Sequence, residues 1–171
     1  RRSGRRNVRS RCSSKPETTL HSHMRGPCSG PSTSGPATRL RRSLKHDDTF
    51  IVLDSHGDIG ASAGGPDGLF NADTRYLARL EMVLDDVQPL LLGSNLRDDN
   101  SALTVDLTNS DVYRHDRLVL KKDTLHIIRS IFLWRGTAYQ RIALQNHGDR
   151  LASFDLTLLF DNDFADLFEV R

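Results

Sequence analysis

The chain has 171 residues, enough for one domain of ordinary size, and a formal charge of +2 that hides a sharp division. Residues 1–46 hold ten Arg and two Lys against Glu17 alone, a balance of +11, while residues 47–171 hold twelve bases and twenty-one acids, a balance of −9. Four of the six prolines (Pro16, Pro27, Pro31, Pro36) and both cysteines (Cys12, Cys28) fall in the first part, which excludes a disulfide framework or a thiol nucleophile from the second.

The composition breaks near Lys45–Asp47, and the expected boundary lies between residues 46 and 47. Residues 1–46 have few large apolar side chains and no apolar period, so they cannot offset the entropy of ordering and read as a disordered basic extension. An Arg-rich arm for nucleic-acid phosphates lacks aromatic interleaving and a folded reader beside it. An organelle transit peptide lacks amphipathic spacing. A non-functional extension is the preferred reading, so nucleic acid is not an expected partner. No apolar run suits a membrane span or a secretory signal, and no N-x-[ST] acceptor occurs, which makes the cytoplasm the default compartment.

From Asp47 onward the chain alternates short apolar runs with turns. Phe50–Leu53 reads as a strand stopped by the turn residues Asp54–Asp58. The glycine-rich stretch Gly60–Gly68 has neither G-x-G-x-x-G nor G-K-[ST] spacing and reads as a surface loop rather than a phosphate cradle. Leu69–Leu84 fits either a strand or a helix face. The turn Asp85–Asp86, with Gln88–Leu92 as a hairpin return, favours strand. Leu103, Val105 and Leu107 alternate with polar residues in a half-buried strand, and Arg117–Lys122 forms another. Thr124–Trp134 is apolar on both faces, with Leu125, Ile127, Ile131 and Leu133 on one and Ile128, Phe132 and Trp134 on the other; it is expected to be covered on both sides, either central in its sheet or between layers. Thr137–Asn146 follows, with Ala138, Ile142 and Leu144 on one face. In Ser153–Phe160, Phe154, Leu156, Leu158 and Phe160 then share a face. Short strands with turns about every ten residues predict a mainly β fold, an antiparallel β-sandwich.

Candidate chemistry is sparse. Asp161, Asp163 and Asp166 form the densest carboxylate group, but the sixth position of a calcium loop would be Asp166 rather than Gly. Carboxylates so close in one turn cannot flank a sugar ring as a glycosidase pair must. The seven histidines are scattered, and no spacing suggests a metal site. G-x-S-x-G is missing, and Asp73–Thr74–Arg75 reads as an Arg–carboxylate unit that fixes a loop. The residues thus indicate no catalytic site, no metal and no cofactor.

Three pieces in order, GLFNADTRYLARLEMVLDD (68–86), SALTVDLTNSD (101–111) and LTLLFDNDFADLFEVR (156–171), resemble the N-terminal domain of bacterial-type glycogen debranching enzymes, the amylo-α-1,6-glucosidase-like glycoside hydrolases. The resemblance covers nearly all of residues 48–171 and none of 1–46. It implies a β-sandwich preceding an (α/α)-barrel catalytic domain that hydrolyses α-1,6-glucosidic branch linkages. No catalytic residue carries over. The motif residues that do, among them Asp73, Arg75, Asp161, Asp163, Phe164, Asp166 and Phe168, are expected to dock that domain or shape the mouth of its cleft. The chain then reads as the front portion of a longer polypeptide, inactive by itself, meeting α-glucan only through its catalytic partner domain. The alternative is a stand-alone carbohydrate-binding or protein-interaction β-module. Its usual mark is an exposed aromatic platform, a weak signal here because Trp134 sits in a strongly apolar strand.

Overall fold

The computed structural model describes residues 6–13, 21–23, 40–60 and 65–170, the first two stretches through their backbone. In chain order the strands are β1 (Arg6–Ser13), β2 (His21–His23), β3 (Arg42–His46), β4 (Thr49–Leu53), β5 (Gly68–Asn71), β6 (Thr74–Leu77) and β7 (Arg79–Leu84). There follow β8 (Leu90–Leu96), β9 (Ala102–Thr108), β10 (Val112–Arg114), β11 (Arg117–Leu120), β12 (Leu125–Trp134), β13 (Thr137–Asn146) and β14 (Ser153–Asp161). Among the described residues there is no helix. The strands form three four-stranded antiparallel sheets, ordered β2-β1-β14-β7, β3-β4-β5-β6 and β13-β12-β9-β8, with β10-β11 as a separate hairpin.

The architecture is the antiparallel β-sandwich class expected from the period-two patterning, with several sheets contributing to one core. Leu44, Ile51, Leu53, Met82, Leu103, Val105, Leu107, Ile127, Leu133 and Phe154 belong to that core, each essentially sealed from solvent. Strand alternation puts these residues inward at every second position. Tight turns set the register. Asn71/Thr74, Arg114/Arg117 and Trp134/Thr137 close hairpins whose two central residues, Ala72–Asp73, His115–Asp116 and Arg135–Gly136, all have positive φ. That left-handed pair matches the twist of the flanking strands.

Three expectations change, in the boundary, in the segment 69–84 and in its hairpin return. The boundary expected between 46 and 47 falls inside the hairpin β3–β4, where Leu44 pairs with Ile51 and is fully buried, so Arg42–His46 belong to the folded unit. Within the expected extension, Arg6–Ser13 pairs along its whole length with β14 and His21–His23 pairs with β1; residues 1–5, 14–20 and 24–39 lie outside the described residues. The ambiguous segment 69–84 is extended, but as parts of β5, β6 and β7 rather than one strand. Gln88–Leu92 is no hairpin return, because the turn closes only the single bridge Leu84–Val87 and β8 pairs with β9 in another sheet.

β12 is central in its sheet, between β13 and β9, yet only one of its faces is sealed. Leu125, Ile127, Ile131 and Leu133 are buried, whereas Ile128 is half-buried and Phe132 and Trp134 are exposed. The expectation of cover on both sides is therefore corrected: β12 lies in an outer layer, and its second apolar face looks outward.

Candidate functional site

The two motifs, far apart in sequence, are joined by one side chain. Arg75 is placed on β6 by the Ala72–Asp73 turn and is 7% exposed. Its Nε donates to Asp163 Oδ1 at 3.1 Å and its Nη2 donates to Asp163 Oδ2, a two-pronged pairing that a planar guanidinium is shaped to make. Its Nη1 donates to the carbonyls of Gly65 at 3.0 Å and Asp67 at 3.3 Å. The site needs Gly68, since a Cβ there would stand 2.6 Å from Arg75 Cδ.

Backbone bonds continue the seam. Arg75 N donates to Ala165 O at 2.9 Å, Leu167 N to Asp73 O at 2.8 Å and Ala78 N to Asp161 O at 2.9 Å, while Thr74 and Asp166 form a bridge. In effect the segment after β14 adds itself to the edge of β6. The motif residues thus divide by role. Asp73 supplies the turn and a carbonyl, and Asp163 supplies the carboxylate for Arg75. Asp161 Oδ1 accepts from Asn162 N and Asp166 Oδ1 from Phe168 N, so both help shape the segment.

The hydrogen bond from Arg75 holds the Asp163 carboxyl below the usual aspartate range, with partial burial opposing it and the Ala165 amide assisting. A glycosidase acid needs the opposite shift, to keep its proton at working pH. Asp163 is therefore suited to fastening rather than proton transfer. Among the described residues no group of three His, Cys, Asp or Glu could hold a metal ion.

Above this seam Phe164, Phe168 and Tyr76 stand exposed, at 57%, 85% and 48%. Tyr76 and Phe164 meet edge to face at 5.9 Å. Phe164 also has φ of 52°, a left-handed conformation that costs an L-residue about 1–2 kcal/mol. The strained backbone, fixed by the clamp, holds that ring in solvent.

A second charged cluster went unnoticed in the sequence. Arg129, on the inward face of β12, is 0% exposed and pairs with Asp58, itself 3% exposed in the turn after β4. Arg129 also donates to His56 O at 3.0 Å and to Gln140 Oε1 at 3.0 and 3.2 Å. Asp58 accepts further from Met82 N at 3.2 Å and Gln88 Nε2 at 3.0 Å. Burial pushes the Asp58 carboxyl up, against the pull of Arg129. This pair ties three core elements together and has no open approach. Parity was the available signal: position 129 shares its face with 125, 127, 131 and 133.

Comparison with the curated proteins and with the solved structures finds no match. The profile of a family described as the N-terminal domain of (some) glycogen debranching enzymes matches residues 44–171, a span that starts within β3 and takes in both motifs. That span is most of the chain, and the residues joined at Arg75 lie inside it. The chain belongs to the family of N-terminal domains of glycogen debranching enzymes.

Proposed function

We propose that this chain is the non-catalytic N-terminal domain of a glycogen debranching enzyme whose α-1,6-glucosidase chemistry resides in a following (α/α)-barrel domain. In this reading the barrel docks on the surface built from Asp73, Arg75, Asp161, Asp163, Phe164, Asp166 and Phe168. The observation that carries it is the clamp of buried Arg75 on Asp163 beneath exposed Phe164 and Phe168. Large exposed rings on a fixed support are typical anchors of a protein interface. The carboxylates there shape local structure, so the pair that hydrolyses the glucan comes from the barrel. Residues 47–171 hold no cysteine, which suits a reducing cytoplasmic setting.

The test compares glucose release from a limit dextrin by the 171-residue chain and by the chain joined to the barrel domain of such an enzyme. The chain alone should release none, and the joined protein should. Phe164→Ser with Phe168→Ser should weaken association of separately purified domains by at least about tenfold, the scale of one interface anchor. Glucose release by the chain alone, or unchanged association in the double variant, would refute the proposal.

A further inference from the structure

The sheet β13-β12-β9-β8 turns an aromatic face to solvent. Trp134 is 51% exposed, Tyr139 44% and Phe132 41%. Phe132 and Tyr139 are cross-strand partners, stacked at 4.9 Å with planes 10° apart. Trp134 lies two residues along β12, on the same face, roughly 6.8 Å further by strand geometry. His46 tilts against its ring at 4.9 Å, and the Arg135 guanidinium lies 5.6 Å from the ring centroid. On the other side of the Phe132–Tyr139 tier, Ser130 faces Arg141 on β13 and Thr104 on β9. Exposed rings in successive tiers forgo burial that would stabilise the fold, and such patches mark binding surfaces.

We infer that this face binds a linear α-glucan chain, with Trp134, Phe132 and Tyr139 as the stacking platform and Ser130, Thr104 and Arg141 as its hydrogen-bonding shelf. The identity of the sugar rests on the debranching reading above; the platform rests on the geometry. A pyranose ring presents an apolar C–H surface and a rim of hydroxyls, so its complement is an aromatic tier bordered by polar groups. A protein interface core would call for continuous apolar surface, and here hydroxyls and a guanidinium interrupt it. Nucleic acid also stacks on exposed rings, but residues 47–171 carry −9 and Asp106 lies on this same face, which opposes a phosphate backbone. None of these residues belongs to the seam at Arg75, so a docked barrel and a bound glucan need not compete for side chains.

Trp134 is the only tryptophan in the chain, so its fluorescence reports this face directly. The test titrates the 171-residue chain with maltoheptaose, and with glycogen on an affinity gel. A saturable change in Trp134 emission is expected, together with retarded migration in glycogen. Phe132→Ala and Tyr139→Ala should each weaken binding about tenfold, as loss of a stacking ring does elsewhere. Phe168→Ser should leave glucan binding unchanged. No saturable change up to ~10 mM maltoheptaose, where a millimolar site would be about nine-tenths filled, would overturn the inference. So would unaltered binding in both ring variants, or a response to the barrel domain but not to glucan. Failure of the two readings is separable. Glucan binding without debranching by the joined protein would sink the proposed function and leave the platform. Debranching with no Trp134 response would do the reverse.

Discussion

Arg75 and Arg129 are both buried guanidiniums with an aspartate partner, yet they do different work. The Arg129–Asp58 pair has 0% and 4% side-chain exposure, so removing one member strands a charge in the core. Arg129→Ala should cost about 3–5 kcal/mol, and Arg129→Met with Asp58→Leu much less, since the double change leaves no unpaired ion. Urea midpoints of the two variants check this; equal losses would show that packing rather than charge dominates. The Asp163 carboxylate is more exposed, at 38%, and its contribution is read through pH instead. Its folded pKa lies below its unfolded value of about 3.9, so its stabilisation is present above that value. That stabilisation drains away as pH falls through the folded pKa. Thermal melts from pH 6 downward should show a steeper acid-side loss for the parent chain than for Asp163→Asn. The sequence exposed Arg75 and Asp163 as motif residues but not as partners, because 88 positions separate them. It hid Arg129 because a cation in an apolar run reads as an interruption until the face is counted.

At the scale of elements, period-two alternation was enough to find β4, β9, β12, β13 and β14, and in β9, β13 and β14 to say which side meets the core. Ile127→Asp should therefore unfold the domain, because a lone carboxylate would replace a fully buried side chain. Thr104→Asp, on the outer half-buried face of β9, should cost under about 1 kcal/mol. Thermal melts with equal losses would contradict the facing. What alternation could not reveal is which strand lies beside which. β8 carries Leu90, Leu91 and Leu92 after a turn, as a hairpin return would, but crosses to β9. β12 is apolar on both faces, and only the layer order shows that Phe132 and Trp134 look outward.

At the scale of the whole molecule, two separate surfaces remain for partners: the seam at Arg75 with its exposed rings, and the outer face of β12 and β13. Left uncovered, Phe164, Phe168 and Tyr76 should drive self-association of the isolated chain. Sedimentation of Phe164→Ser with Phe168→Ser should show a shift toward monomer relative to the parent; an unchanged distribution would place the association elsewhere. The family motifs contain residues that meet in space, but their contact is made by tertiary pairing that no local pattern encodes.

The long interval between Arg75 and Asp163 also sets a timetable for synthesis. At about 5–20 residues per second, a ribosome needs roughly 4–18 s to travel from one codon to the other. Throughout that time the hairpin β5–β6 lacks the Asp163 carboxylate that pairs with its guanidinium, and the edge of β6 is open. The three sheets can be complete at Asp161, yet the clamp comes only two residues later and the seam only at Leu167. A chain that ends at Asp161, once released from the ribosome, should thus hold all its strands and still be cut readily near Asn71–Thr74, whereas six further residues should close that window.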